Sequence, residues 1–363
     1  MTVHSSLDSR ARLLCLPFTL VLVLTLAACS SVSIDLGPNP PDDGPCVPSA
    51  GVSPTIGGCA VFPTDNPWNR DVSCDTVDAN SNQYIASINQ GAEFLHADFG
   101  SNPDWGIPYS AVPGSQSLVP IVFTEYPDES DPGPYPVPAN APIEGGSDST
   151  GDRHVLVLQS GACKLYELYH AFKDADGPGW NAGSGAIFDL SSNGLRPEGW
   201  TSADAAGLPI LPGLVRYDEV ASGQITHAVR FTVWRTQQGY VHPATHAAGA
   251  TTDPAYPPMG MRVRLKASYD LTPFSGSARV ILNALKKYGM IVADNGTSWY
   301  ITGASDPRWN DSNLDQLKTV PGSAFEVVKL GTIIYPDALP RSCRNPQNYR
   351  SWEHRRLLGR TTQ

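Results

Sequence analysis

Residues 261–267 read MRVRLKA. Met261, Val263 and Leu265 alternate with Arg262, Arg264 and Lys266. A period of two belongs to a strand, and its mixture of apolar and basic positions predicts one face in the core and one face in water. Similar short runs surround it: PIVFTEY (120–126), HVLVLQ (154–159), KLYELYHAF (164–172), GAIFDL (185–190), HAVRFTV (227–233), MIVADN (290–295) and SWYITG (298–303). All are rich in Val, Ile, Phe or Tyr and are bounded by Gly, Pro, Asp or Asn. Asn295-Gly296 is a turn signal for a hairpin from MIVADN into SWYITG.

Helical signals are few. SNQYIASINQ (81–90) and SNLDQLK (312–318) are two, and SARVILNALKKYG (277–289) is the clearest. There Val280, Ile281, Ala284, Leu285 and Tyr288 form one stripe, Ser277 can cap the start and Gly289 the end. Strands outnumber helices and do not alternate with them. The expectation is therefore a mainly β, antiparallel sandwich or jelly-roll-like single domain with a few peripheral helices.

The flanks set compartment and boundaries. Arg10 and Arg12 precede the apolar run LLCLPFTLVLVLTLAA (13–28), which reads as a signal peptide over 1–28. Leu26-Ala27-Ala28-Cys29 resembles the lipobox of a bacterial lipoprotein, which implies lipidation of Cys29. By that resemblance Ser30, in place of Asp, implies the outer leaflet of an outer membrane, or the cell surface. Residues 29–58 then read as the lipidated cysteine and a Pro/Gly/Ser-rich tether, 59–336 as the domain and 337–363 as a basic, disordered tail. The formal charge is −10, and losing Arg10, Arg12 and Asp8 makes it one unit more negative. An acidic chain is poorly suited to nucleic acid, so no nucleic-acid partner is expected. A monomer touching the membrane only through its lipid is. After Cys29 come Cys46, Cys59, Cys74, Cys163 and Cys343, an odd number. Export permits disulfides; Cys59–Cys74 is the first expectation, with Cys163 a buried thiol.

The blocks TDNPWN (64–69), DESDPGPYPVP (128–138), SGAIFDLSSNGLRPEGWTSADAAGLPILPGLVRYDE (184–219), THAVRFTV (226–233), PPMGMRVRLKA (257–267) and LKKYGMIVADNGTSWYITGA (285–304) are similar to a family of secreted actinobacterial and proteobacterial proteins. The resemblance covers nearly all of 59–330. It implies export and a single domain and assigns no activity.

Chemistry must come from residues. Glu167 sits among Leu165, Tyr169 and Ala171 on one strand face, and Asp189 ends the next run. Across the short loop between them they can form the carboxylate pair a glycosidase needs. The bland alternative is a turn cap for Asp189 and an arginine partner for Glu167. His227 lies at the wet end of an apolar face, with Arg216 and Glu219 just upstream; Asp294 precedes a turn at a strand end. A lyase would instead use His227 or Tyr240 as base, with Arg216 and Arg230 holding a uronate. Trp68, Trp105, Trp180, Trp200 and Trp309 fall in loops, where indoles suit pyranose faces or anchor the loops. Asp128, Glu129 and Asp131 offer a calcium alternative to a solvated acidic loop, without EF-hand spacing. His242 and His246, four apart in GYVHPATH, raise a zinc reading. Pro243 places His242 before any helix, so the pair does not share a face and fits a substrate-binding rim better. No metal is expected. G-x-S-x-G, H-E-x-x-H and P-loop signatures are absent.

The leading expectation is a surface-tethered carbohydrate-active enzyme, a glycoside hydrolase in preference to a polysaccharide lyase. Its catalytic set is Glu167, Asp189, His227 and Asp294. Its substrate-binding set is Glu219, Arg216, Arg230, Tyr240, His242, His246, Trp200 and Trp105. A noncatalytic glycan-binding lipoprotein and a zinc-dependent hydrolase are the alternatives.

Overall fold

The computed structural model describes residues 46–336. Over that span the protein is mainly β, with several sheets and few helices. Its strands are β1 (Thr55–Ile56), β2 (Cys59–Ala60), β3 (His96–Asp98), β4 (Tyr109–Val112), β5 (Ile121–Phe123), β6 (Val155–Gln159), β7 (Lys164–Tyr169) and β8 (Phe172–Lys173). β9 (Trp180–Ala182), β10 (Ser184–Asp189), β11 (Val229–Val233), β12 (Arg262–Leu265), β13 (Met290–Asn295), β14 (Tyr300–Thr302) and β15 (Phe325–Val327) follow. The α-helices are α1 (Ser81–Asn89), α2 (Tyr217–Ser222), α3 (Gly276–Lys287) and α4 (Asp311–Leu314).

Three sheets build the body. A six-stranded sheet runs β15-β12-β13-β11-β14-β3, a four-stranded sheet β10-β7-β6-β4 and a three-stranded sheet β5-β9-β8. They are mixed, not purely antiparallel: β11/β13, β14/β3, β4/β6 and β5/β9 pair in parallel. The reason is in the connections. β12 and α3 both lie in the chain between β11 and β13, and parallel neighbours need such long crossovers. The hairpin expected at Asn295-Gly296 does not form either, because β11 lies between β13 and β14.

The four-stranded sheet is apolar on both faces. Leu156, Leu158, Leu165 and Phe188 join the main core with β11–β15. Val155, Val157, Tyr166 and Leu168 join a second cluster with Trp180 and Ala182 of the three-stranded sheet. In the six-stranded sheet, Phe231 stacks on Trp299 and Trp299 on Phe325, with ring centroids 5.9 and 5.0 Å apart. Each such pair adds about 0.5–1.5 kcal/mol beyond simple burial.

MRVRLKA forms β12 in the expected alternation, but its second face is dry: Arg262 and Arg264 are both buried. The segment around Val72 covers it, with Arg264 Nη1 donating to the Val72 carbonyl and Nε to Glu326 at 2.8 Å. α3 buries Ala278, Ile281, Leu282 and Leu285, the i, i+3, i+4, i+7 set. Its N-cap is Ser275, two residues earlier than the expected Ser277 cap, and Asn313 Oδ1 accepts from the Ala278 amide. Gly289 follows the helix at φ +67°, where a Cβ would lie 2.3 Å from the Val263 carbonyl, so only glycine fits.

The disulfides are Cys46–Cys74 and Cys59–Cys163, not Cys59–Cys74. The tertiary fold brings Cys163, at the β6–β7 turn, beside β2; sequence proximity of Cys59 and Cys74 did not decide the pairing. Residues 46–58 are likewise not free tether: Cys46 is bridged, Ser49 donates to Asp71 and Ile56 enters the core. Two disulfides fit an oxidising, extracytoplasmic setting. No helix among the described residues is long and apolar enough to cross a membrane. The signal peptide, Cys29, Cys343 and the basic tail lie outside the described residues.

Candidate functional site

The register across the six-stranded sheet organises the polar residues. β11 pairs with β14 through Phe231–Ile301 and Thr232–Tyr300, which places Arg230 opposite Thr302. Thr302 pairs with Asp98 of β3, and Thr232 pairs with Asp294 across a bulge in β13. Direct partners share a face. Asp294, Thr232, Arg230, Thr302 and Asp98 therefore project from one side of the sheet, while Phe231 and Ile301 project from the other.

Arg230 is the hub of that face. It is buried, and it donates to Asp204 Oδ2 at 2.6 Å and Thr302 Oγ1 at 3.0 Å. Asp204, buried in the 196–216 loop, is the ion-pair partner. Burial opposes the guanidinium, but Asp204, Asp294 and Glu144 together raise Arg230 above its ordinary value. Beside it His154, at the entry to β6, presents Nδ1 to Glu144 Oε2 at 2.6 Å and donates from Nε2 to the Ala203 carbonyl at 2.9 Å. Two acceptors around one ring fit the imidazolium. Burial disfavours that charge, but Glu144 outweighs it and raises His154 to about 9.

The carboxyls respond to this setting in opposite directions. Burial tends to raise Glu144, yet the His154 cation prevails and holds it below its ordinary value. Asp294, half-buried, is raised to about 7 by burial and then by the Asp204 charge. Asp98 is raised by burial and by Glu144, and Asp204 by burial despite Arg230. Glu167 is fully buried beneath the cluster, and burial raises it to about 7. The Ile210 amide donates to both its oxygens (3.0 and 2.9 Å) and the Leu211 amide to Oε1 (2.9 Å). Five carboxyls thus face two cations, Arg230 and His154. Burial, with the Asp204 charge adding to it, is what keeps protons on Asp294 and Glu167 near neutral pH.

The expected residues distribute as follows. Glu167 and Asp189 lie on paired strands but do not meet: Glu167 is opposite Ala186, and Asp189 is opposite Lys164. Three residues along a strand is ~10 Å, and an odd offset turns Asp189 to the other face. Asp189 is exposed and accepts from the Ser191 amide and hydroxyl at 2.9 and 2.6 Å, the turn-cap alternative. His227 is fully buried, donating from Nδ1 to the Ala228 carbonyl at 2.7 Å, with Nε2 3.2 Å from Glu219 Oε2. Glu219 also pairs with Arg216, whose Nη1 reaches the Leu211 carbonyl at 3.2 Å. This trio cross-braces α2 and does not open onto a cleft. The lyase set fails in the same way, since Arg216, Arg230, His227 and Tyr240 are all buried.

His242 and His246 lie in a loop with no helix, so the zinc geometry does not arise. His242 Nε2 is 2.7 Å from Glu198 Oε1, and His246 Nδ1 donates to the Ala205 carbonyl at 2.7 Å. Tyr240 donates to Glu198 Oε2 at 2.5 Å, so Glu198 is the carboxylate that joins this rim. Among the described residues no group of three or more metal-ligating side chains occurs. In the acidic run, Glu129 Oε2 accepts from the Thr201 amide at 2.9 Å and Asp131 Oδ2 from Arg196 at 2.5 Å. Those two carboxylates are turned to internal donors. Of the loop tryptophans, Trp68, Trp180 and Trp309 are core residues; Trp200 is half-buried with Arg196 beside it, and Trp105 is exposed.

Asp98, Glu144, His154 and Asp204 were not legible as site residues. One signal pointed to Asp204, a lone carboxylate in the apolar stretch ADAAGLPILPGL. Comparison with family models, curated proteins and solved structures gives no match.

Proposed function

We propose that the protein is a carbohydrate-active enzyme that hydrolyses an extracellular glycan, tethered to the membrane through a lipid on Cys29. The observation that carries the reading is the pair of opposed carboxyls around Arg230: Asp294 held protonated to about 7, and Glu144 held ionised by His154. Carboxyls driven apart in this way divide the acid and base roles of glycoside hydrolysis. In this reading Asp294 protonates the leaving oxygen and Glu144 is the ionised partner. Asp204, Arg230 and Glu167 are positioning residues. The stacked sheets serve as a sandwich-type scaffold for a monomer whose partner is a glycan, not nucleic acid.

The test is reducing-sugar release by the purified chain across a glycan panel. Activity should rise with pH as Glu144 loses its proton and fall above about 7 as Asp294 loses its own. Asp294→Asn should lower kcat by about 10²–10⁴. Retained activity in that variant, or none in the wild type on any glycan, overturns the proposal. A second reading, a noncatalytic glycan-binding lipoprotein, is favoured by the internal bonding of His227, Arg216 and Glu167. It predicts binding without cleavage.

A further inference from the structure

The row that carries Asp294 continues past Thr232. Tyr300 is the next direct partner on β14, and His96 the next on β3. The two rings lie parallel, 4.4 Å between centroids and 7° between planes. Both residues are half-exposed. Among the described residues no hydrogen bond or ion pair engages the Tyr300 hydroxyl, the His96 ring nitrogens or the Asp98 carboxyl, which shares β3 with His96. Thr232, between Tyr300 and Asp294, is short, and its hydroxyl donates to the Thr297 carbonyl at 2.6 Å. One strand spacing is ~4.8 Å, so Tyr300 and Asp294 stand ~10 Å apart across that step.

Resting on the hydrolase reading above, we propose that Tyr300 and His96 form the sugar-binding platform of this site, and that it takes uncharged hexose or N-acetylhexosamine units. A pyranose laid against the outer face of Tyr300 sits over Thr232, beside Asp294. The unpartnered phenol and imidazole supply the hydroxyl contacts that an apolar ring face lacks. Charge selects the sugar. The face is rich in carboxyls, while Arg230 is buried and bonded to Asp204 and Thr302. Lys318, whose charge acts on His96, is paired with Asp315 at 2.6 Å, so uronic acids would meet like charge with both of these cations, Arg230 and Lys318, already engaged, and neutral sugars are preferred.

Binding is measured by calorimetry on the full chain carrying Asp294→Asn, which keeps glycans intact. Probes are neutral gluco-, manno- and N-acetylglucosamine hexamers, and a galacturonate hexamer. A neutral hexamer should bind and the galacturonate should not. Adding Tyr300→Ala or His96→Ala should weaken binding about tenfold or more, as loss of one ring's apolar contact implies. Tyr300→Phe should stay within about threefold. Circular dichroism checks that each variant is folded. Unchanged binding in both alanine variants, no binding of any neutral hexamer, or preferred binding of galacturonate overturns the platform. Binding as described with no reducing-sugar release by the wild type leaves the platform standing and removes the hydrolase reading. Cleavage with platform variants unaffected does the reverse.

Discussion

Glu167→Gln isolates the cost of the buried cluster. The Glu167 carboxyl titrates near 4.5 ordinarily and at about 7 in the fold. Folding therefore takes up a proton between those values. Stability from this group is fully present below the lower value and is lost as pH rises through the higher one. At 1.36 kcal/mol per pH unit the loss is about 3 kcal/mol. Glutamine keeps the shape and one acceptor for the Ile210 and Leu211 amides, but has no proton to lose. Asp294 titrates in both proteins, so its contribution cancels in the comparison. Urea denaturation followed by tryptophan fluorescence at pH 4.5, 6, 7 and 8 gives the two stability curves. The wild type should fall relative to the variant by about 3 kcal/mol across that range. Parallel curves would refute the argument that burial, and not a compensating cation, sets the Glu167 proton.

Arg230→Met leaves Asp204 buried and unpaired and should cost about 3–5 kcal/mol in thermal denaturation, while Arg230→Met with Asp204→Leu should recover most of it. If the double variant is no better than the single, the ion pair is not the source. Removing the Cys59–Cys163 bridge, which closes 104 residues, should cost about 4–5 kcal/mol, against about 3–4 for Cys46–Cys74, which closes 28. The reverse order of melting temperatures would contradict the loop-entropy account. Arg262→Met should raise stability by about 1–4 kcal/mol, because Arg262 Nε and Nη2 are buried without a hydrogen-bond partner. Burial, with the Arg70 charge nearby, lowers this guanidinium to about 9, and a loss of stability in the variant would show that the group is well accommodated.

Elements were legible from sequence where periodicity alone defines them. β12, β6, β7, β13 and α3 all stand where alternation or the apolar stripe placed them. Their neighbours were not legible, because pairing is a long-range property. The Asn295-Gly296 turn is a local signal, and a strand from sixty residues upstream, β11, displaced the hairpin it suggested. The same limit governs the site. Glu167 was noticed because a carboxylate between Leu165 and Tyr169 breaks a strand's apolar face. Its partner was sought in the nearest run, at Asp189, whereas its true surroundings come from the 204–211 loop. Asp98 and His154 look ordinary in sequence; register across β3 and β14 gives Asp98 its place, and the long-range contacts to Glu144 and the Ala203 carbonyl give His154 its own. MRVRLKA shows the rule at its smallest: alternation located its two faces correctly, and only the chain segment laid over Arg262 and Arg264 determined that neither is wet.

The protons that define the site also bear on the fold. Glu167 and Asp294 both titrate at about 7, and both are raised first by burial and further by Asp204. One group lies beneath the cluster and the other at its edge, so a rise in pH ionises the acid assigned to chemistry and strains the packing under it together. Arg230 limits the damage, since it is the fixed positive charge that Asp204, Asp294 and Glu144 share. Replacing the cluster by apolar side chains would remove the penalty, as it does for other buried ion networks. It would also remove the Asp204 charge that adds to burial in keeping Asp294 protonated. An arrangement that costs stability above neutral pH and yields a proton donor below it is understandable when the donor is used, and it ties the working pH of the proposed hydrolase to the acid side of about 7.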